Sequence, residues 1–320
     1  MGRLLRQTLP ALITVLILAA CGGGGGSSPI SQPAASTATQ EPNAPQATGN
    51  TATDGLNWFN FRRQQLGLSE LVRNTKIDAA AQSHSSYQEI NNVITHDEDP
   101  NKQGFTGVTT SDRLKAAGYL LPSNDYAYGE VISSTSDSSG FHAAEDLIAA
   151  IYHRFLVFEP MFKEGGAGAA TVSGGLTYFT ANFAAIGLNT GLRRGQVLVY
   201  PFPDQQRVPA SFFSNNESPD PVPNRNEVGY PISVHANITS TLAVSSFTVT
   251  PRGGTALPVQ LLTGTPNPDA PNQSVDIHTP ASAAAIIPLQ PLSAATTYDV
   301  QFTGSVDGKT VSRSWSFTTQ

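Results

Sequence analysis

The sequence predicts a mixed α+β unit followed by an all-β sandwich. Three observations carry that prediction. Apolar residues recur at helical spacing in three stretches between residues 54 and 157. Alternation on either side of Gly174-Gly175 marks a β-hairpin. From residue 231 onward only short β-branched runs remain. At 320 residues the chain has room for about two domains.

The N-terminus reads MGRLLRQTLPALITVLILAAC. Arg3 and Arg6 form a positive start, and Ala19 and Ala20 are the small residues of a cleavage site. The apolar run 11–18 is too short to span ~30 Å of hydrocarbon. Residues 1–20 therefore read as a secretory signal peptide. Leu18-Ala19-Ala20-Cys21 resembles a bacterial lipobox, which implies cleavage before Cys21, lipidation there, and a membrane as partner. Gly22 after the cysteine resembles outer-membrane sorting, so the expected location is lipid-anchored and extracytoplasmic, at an outer membrane or cell surface. Residues 21–53 read as the lipidated cysteine and a flexible tether, because Gly, Ser, Pro, Ala, Thr, Gln and Asn cannot bury enough surface to offset chain entropy.

Asp54 is the expected N-cap of a helix carrying Trp58, Phe59, Phe61 and Leu66. After the Gly67 break, Leu71, Ile77, Ala80, Ala81, His84 and Tyr87 line one face of a helix over 69–91. A third helix is expected over 143–157, with Ala144, Leu147, Ile148, Ile151 and Phe155 as its stripe. Glu145 and Asp146 favour its N-terminal turn. The hairpin arms are 166–173 and 176–188, and 196–202 is a further strand, so the first domain is drawn over 54–202. Residues 203–227, rich in Pro, Asn, Asp and Ser, read as a linker. In the domain at 228–320, strands are expected at 232–238, 244–250, 257–263, 284–289, 297–304 and 310–319, separated by turns such as Asp307-Gly308.

Charge and cysteine content exclude several functions. The formal charge is −6, and loss of Arg3 and Arg6 leaves 16 basic against 24 acidic residues, a net of −8. A nucleic-acid partner is therefore not expected, since phosphate binding calls for a basic face. With Cys21 as the single cysteine, internal disulfides, cysteine zinc fingers and iron–sulfur sites are ruled out. Any metal would have to be held by His, Asp and Glu.

Taken singly, the histidines are unremarkable: His84 and His153 lie among apolar residues, His142 in a Ser/Gly-rich stretch, and His96 in a loop. Their order and context say more. The run 56–96 is followed by Arg113 with Ala116-Ala117-Gly118-Tyr119, then Gly129-Glu130, Tyr152-His153-Arg154, and EPMFKEGGAGAA at 159–170. This series resembles the CAP superfamily, also called SCP-like, in its disulfide-free bacterial branch. The resemblance covers 54–202 and implies a three-layer α-β-α sandwich with an open cleft. By motif match, His96 and His153 are the two cleft histidines and Glu130 the cleft acid. Val131 stands where the family has Asn, and the second acid of eukaryotic members has no counterpart.

Two imidazoles and a carboxylate suit a divalent ion, zinc foremost, with His96, His153 and Glu130 as ligands. Without metal, Glu130 could orient an imidazole acting as base, or a buried His–Glu–His network could simply hold the cleft in shape. Ser133 and Ser134 lie near Glu130 but lack a GxSxG-type turn. The segment from Pro291 through Tyr298, Gly304 and Asp307-Gly308 to Trp315-Ser316-Phe317 resembles bacterial Ig-like domains. The expected function is a membrane-anchored extracytoplasmic CAP-domain lipoprotein binding a small ligand, peptide, divalent ion or envelope component. The alternatives are a metal- or His/Glu-assisted hydrolase of peptides or envelope polymers, and an adhesion or scaffold protein acting through the Ig-like domain.

Overall fold

The computed structural model describes residues 41–267 and 274–320. The signal peptide, Cys21 and the tether as far as residue 40 lie outside the described residues. Order begins earlier than expected. Helix α1 (Thr51–Gln65) is capped by Asn50, whose side chain accepts the Thr53 N–H at 2.8 Å. Asp54 lies inside the first turn, and its carboxylate reaches back to Thr48 and Gly49. Glu41 pairs with Arg62 at 2.6 Å, so the last part of the expected tether is fastened to this helix.

The helix expected over 69–91 is shorter. Val72–Arg73 forms strand β1, and α2 (Thr75–Asn91) starts behind the Asn74 cap. A short helix α3 (Thr110–Ala116) opens on a Thr109/Asp112 capping box. Strand β2 (Tyr126–Thr135) follows. The single helix expected over 143–157 is two helices, α4 (Gly140–Ala149) and α5 (Ile151–Val157). They part at Ala150, whose ψ of 115° is extended. Strands β3 (Glu164–Thr171) and β4 (Thr177–Ile186) make the expected hairpin.

These strands form one sheet in the order β1-β3-β4-β2. Its layering is read from glycines on β3. A Cβ on Gly168 would stand 2.2 Å from the Gln82 backbone of α2, whereas one on Gly165 would meet Leu56 of α1. Thus α2 and α1 cover opposite faces, giving the α-β-α sandwich. On the α1 face, α4 crosses α1 so closely that a Cβ on Gly140 would stand 2.1 Å from the Thr51 carbonyl oxygen.

The second half is all-β, and its strands fall close to the expected runs: β9 (Ile232–His235), β10 (Leu242–Pro251), β11 (Val259–Thr263), β12 (Ala283–Pro288), β13 (Thr297–Val306) and β14 (Lys309–Thr319). Asp307 and Gly308 both take positive φ between β13 and β14, as a tight hairpin turn requires.

The boundary between the halves differs from the expectation. Strand β5 (Leu198–Tyr200), drawn with the first domain, pairs antiparallel with β9. The expected linker 203–227 is structured: β6 (Gln205–Val208) pairs parallel with β14, and β7 (Ser211–Phe213) pairs with β8 (Glu227–Gly229). The sandwich therefore consists of two four-stranded sheets, β10-β13-β14-β6 and β11-β12-β9-β5, each closed on one edge by a strand from before residue 209. The physical reason is edge pairing. A strand beside an open sheet satisfies its own backbone and covers the edge, which a solvated linker would leave bare.

Apolar packing also runs across the boundary. Ile151, Tyr152 and Phe155 of α5 share a buried cluster with Phe212, Val228, Ala285 and Ile287. The buried Arg154 guanidinium donates to the Pro231 carbonyl at 2.6 Å and lies 4.9 Å from the ring centroids of both Tyr200 and Tyr230.

Candidate functional site: two oriented imidazoles

The first imidazole belongs to a buried ionic cluster at the open edge of the first sheet. The chain leaving α2 carries His96 and Glu98, α2 supplies His84, α3 supplies Arg113, and β2 supplies Glu130. The capping box sets α3 so that Arg113 Nη2 reaches both Glu130 oxygens, at 2.8 and 2.9 Å. Arg113 also donates to the carbonyls of Gly107 and Val108. Burial pushes the Glu130 carboxyl up, but Arg113, His96 and His84 outweigh it and hold it at about 2. Glu98 is likewise held below the usual range: burial raises it, while bonds from His84 and the Thr106 amide and the Arg113 charge lower it further.

Hydrogen-bond roles fix the protons. Glu98 and Glu130, as carboxylates, only accept. His84 Nδ1 faces Glu98 at 2.8 Å and its Nε2 faces the Thr95 carbonyl at 2.7 Å. Both neighbours are acceptors, so both ring nitrogens carry hydrogen. His84 and Arg113 thus balance Glu98 and Glu130. His96 Nδ1 donates to Glu130 at 2.9 Å, which leaves Nε2 as the lone-pair nitrogen. That atom is buried and has no partner among the described residues.

The second imidazole is built differently. His153 lies in the first turn of α5, not at the end of a long helix. Ala150 provides no side-chain cap. Glu217 supplies one from the far side of the boundary, accepting the N–H groups of Ile151 and Tyr152 at 2.8 and 2.7 Å. The same carboxylate accepts from His153 Nδ1 at 3.1 Å. His153 Nε2 is then the lone-pair nitrogen, and it too is buried without a partner.

Beside His153 lies a cavity of about 530 Å³, walled by β2, α4, the start of α5 and the segment 209–218. Its lining includes Ile132, Ser133, Leu147, Asp146, Phe212 and Glu217.

Of the three residues expected to converge, His96 and Glu130 meet as anticipated. His153 is bonded to Glu217 instead. Glu130 has its oxygens engaged by Arg113 and His96, so it orients an imidazole and is not a spare ligand. Among the described residues, no group of three or more His, Cys, Asp and Glu is arranged to hold a metal ion. The donors that remain are the two Nε2 atoms, fewer than the three protein ligands of a catalytic zinc. The His96/Glu130/His153 set therefore does not fit a zinc ion, and no step is derived through one.

Sequence reasoning passed over four residues that complete the two sites. Arg113 lay within a quoted block, and Glu98 lies two residues after His96. His84 read as a core residue and is one, but it is charged. Glu217 had one faint signal: a helix start at Ala150-Ile151 has no capping side chain of its own. His142, in its Ser/Gly-rich stretch, lies between Asp137 at 2.7 Å and Asp146 at 3.3 Å.

Residues 56–183 match the family described as cysteine-rich secretory proteins, CAP. No curated protein matches the chain. Among solved structures, an extracellular protein containing an SCP domain from Bacillus anthracis is 22% identical with a TM-score of 0.36, the match covering 44% of each chain. An outer surface protein from Borrelia burgdorferi is 14% identical with a TM-score of 0.34, covering 41% of this chain and 89% of that one. The match thus spans less than half the length of the Bacillus protein.

Proposed function

We propose, from the CAP domain at residues 56–183, that this chain is an extracytoplasmic lipoprotein anchored through Cys21, with an Ig-like β-sandwich. Its two oriented imidazoles bind a small ligand or peptide of the cell envelope. One observation carries this reading. His96 and His153 are each held through Nδ1 by a carboxylate, and each keeps a buried Nε2 without a partner. Buried polar atoms are normally paired, and these two acceptors on oriented rings suit a hydrogen-bond donor from a ligand. Among the described residues, no helix is long and apolar enough to cross a membrane.

The test is a titration of the full chain in detergent with a panel of envelope-derived peptides and glycans, followed by histidine Cε1–H resonances. The His96 and His153 signals should shift saturably, while those of His84 and His235, buried in the core, stay in place. A panel that moves neither imidazole overturns the reading. Cys21→Ala should release the chain from the membrane fraction; a variant that stays with membranes removes the anchor.

The hydrolase reading is weaker. Ser133 Oγ and His153 Nε2 both lack partners, so no nucleophile–base hydrogen bond is formed between them.

A further inference from the structure

The cavity beside His153 has a chemical bias set by its walls. Its acidic lining residues are Glu145, Asp146 and Glu217, with His153 beside them and no lysine or arginine in the lining. The carboxylates differ in how fully they are engaged. Glu217 accepts from the first amides of α5 and from His153. Glu145 accepts from Trp58 Nε1 at 2.5 Å and Arg62 Nε at 3.1 Å. Asp146 faces only the His142 ring, at 3.3 Å. Burial pushes its carboxyl up to about 6; His142 draws it down, and neighbouring Glu145 and Asp137 raise it again. Asp146 is the carboxylate of this wall that a bound cation would relieve most.

The uncharged polar groups add to the bias. Because Glu217 can only accept, His153 Nδ1 carries the hydrogen and Nε2 offers a lone pair. His153 is 4% exposed, so this lone pair is buried and unmatched on the cavity wall. Ser133 Oγ, on the same wall, is also unpartnered. Ile132, Leu147 and Phe212 supply an apolar surface between these groups. A ligand that completes the wall must donate hydrogen bonds, carry positive charge, and present a small apolar body.

We infer that this cavity binds a primary ammonium group carried on a compact apolar body. The ammonium would sit between Asp146 and the His153 lone pair, and the body against Leu147 and Phe212. An anionic ligand is disfavoured there by three carboxylates. The inference deepens the proposed function, since it takes His153 as a binding group, and it specifies the chemistry at that group.

The test uses three probes of one shape and different charge: benzylamine, benzyl alcohol and benzoate. Each is titrated into the full chain in detergent, with His153 Cε1–H and the Ser133 amide as reporters. Benzylamine should bind at least tenfold more tightly than benzoate, with the alcohol between them. Asp146→Asn should abolish the preference for amine over alcohol while the chain keeps its melting temperature within a few degrees. His153→Gln should weaken all three probes. The inference is overturned if benzoate binds as well as benzylamine, if no probe binds, or if the preference survives Asp146→Asn. None of those outcomes touches the envelope-ligand titration, which can succeed at His96 and His153 with an uncharged ligand.

Discussion

The two imidazoles present the same atom, a buried Nε2, and are supported in different ways. His96 is held by a cluster drawn wholly from the first half of the chain: two cations against two carboxylates, with charges balanced before any ligand arrives. His153 is held by one carboxylate that crosses from the second half and also caps the helix on which the histidine sits. The first arrangement is self-contained and costly to break, because each charge is buried against its partner. The second is conditional: it exists only while the two halves are joined. A site can thus be divided between a fixed group and a dependent one without either ring touching the other.

The largest test of that contrast is truncation. A chain ending at residue 202 loses the partners of β5, the apolar cover of α5 and Glu217. It should melt at a lower temperature, keeping the His96 resonances while those of His153 lose their single orientation. A truncated chain that keeps native resonances at both histidines would refute the dependence.

Next is Arg113→Met, which leaves Glu130 buried beside two imidazoles without its main cation. It should cost about 3–5 kcal/mol in urea unfolding. The native chain should also lose stability as pH falls from about 4.5 towards 2. The Glu130 carboxyl titrates near 2 when folded and near 4.5 when unfolded, so its contribution is full above the higher value and fades through that window. In Arg113→Met this acid-side loss should shrink or reverse. Glu159 is the opposite case, a buried carboxyl that burial pushes up to about 8. It subtracts stability as pH rises from about 4.5 to 8, and Glu159→Gln should therefore help more at pH 8 than at pH 5 in the same assay.

Glu217→Ala should be milder, at about 1–3 kcal/mol for the amides it leaves bare. Nitrogen chemical shifts should then show His153 losing its single tautomer while His96 keeps its own. Equal changes at both rings would erase the distinction between the sites. The smallest expected effect is Ser133→Ala, within about 0.5 kcal/mol of the native chain, since its hydroxyl has no partner to lose.

Local signals made much of the fold legible. The strands after residue 231 carry their own turns, and the Asp307-Gly308 pair adopts the positive φ values that a tight hairpin needs. Helix positions were readable from the stripes of Trp58, Ile77 and Leu147, but their ends were not. Asn50 outcompeted Asp54 as a cap, and Val72-Arg73 was drawn into a sheet by a partner about ninety residues away. The break at Ala150 shows locally only as a missing cap, and the carboxylate that fills it, Glu217, comes sixty-odd residues later. The candidate site divides along the same line. His96 and Glu130 were readable from short motifs. Arg113 and His84, as balancing charges, emerge only when the chain brings them within reach. The stretch 203–227 has the composition of a linker and the hydrogen bonds of a structural seam.

Strand β6 has a bearing on when this protein becomes whole. Among the described residues its ladder partner is β14 (Lys309–Thr319), about a hundred residues later. Synthesis runs from N- to C-terminus, so β6 must wait for about a hundred further residues to emerge before it can pair. The segment holding Glu217 leads on from that strand. The self-contained cluster around His96 can form early, while the chain is still growing. The His153 pocket closes later than the His96 cluster, and a chain interrupted before β14 would carry one imidazole set and the other loose.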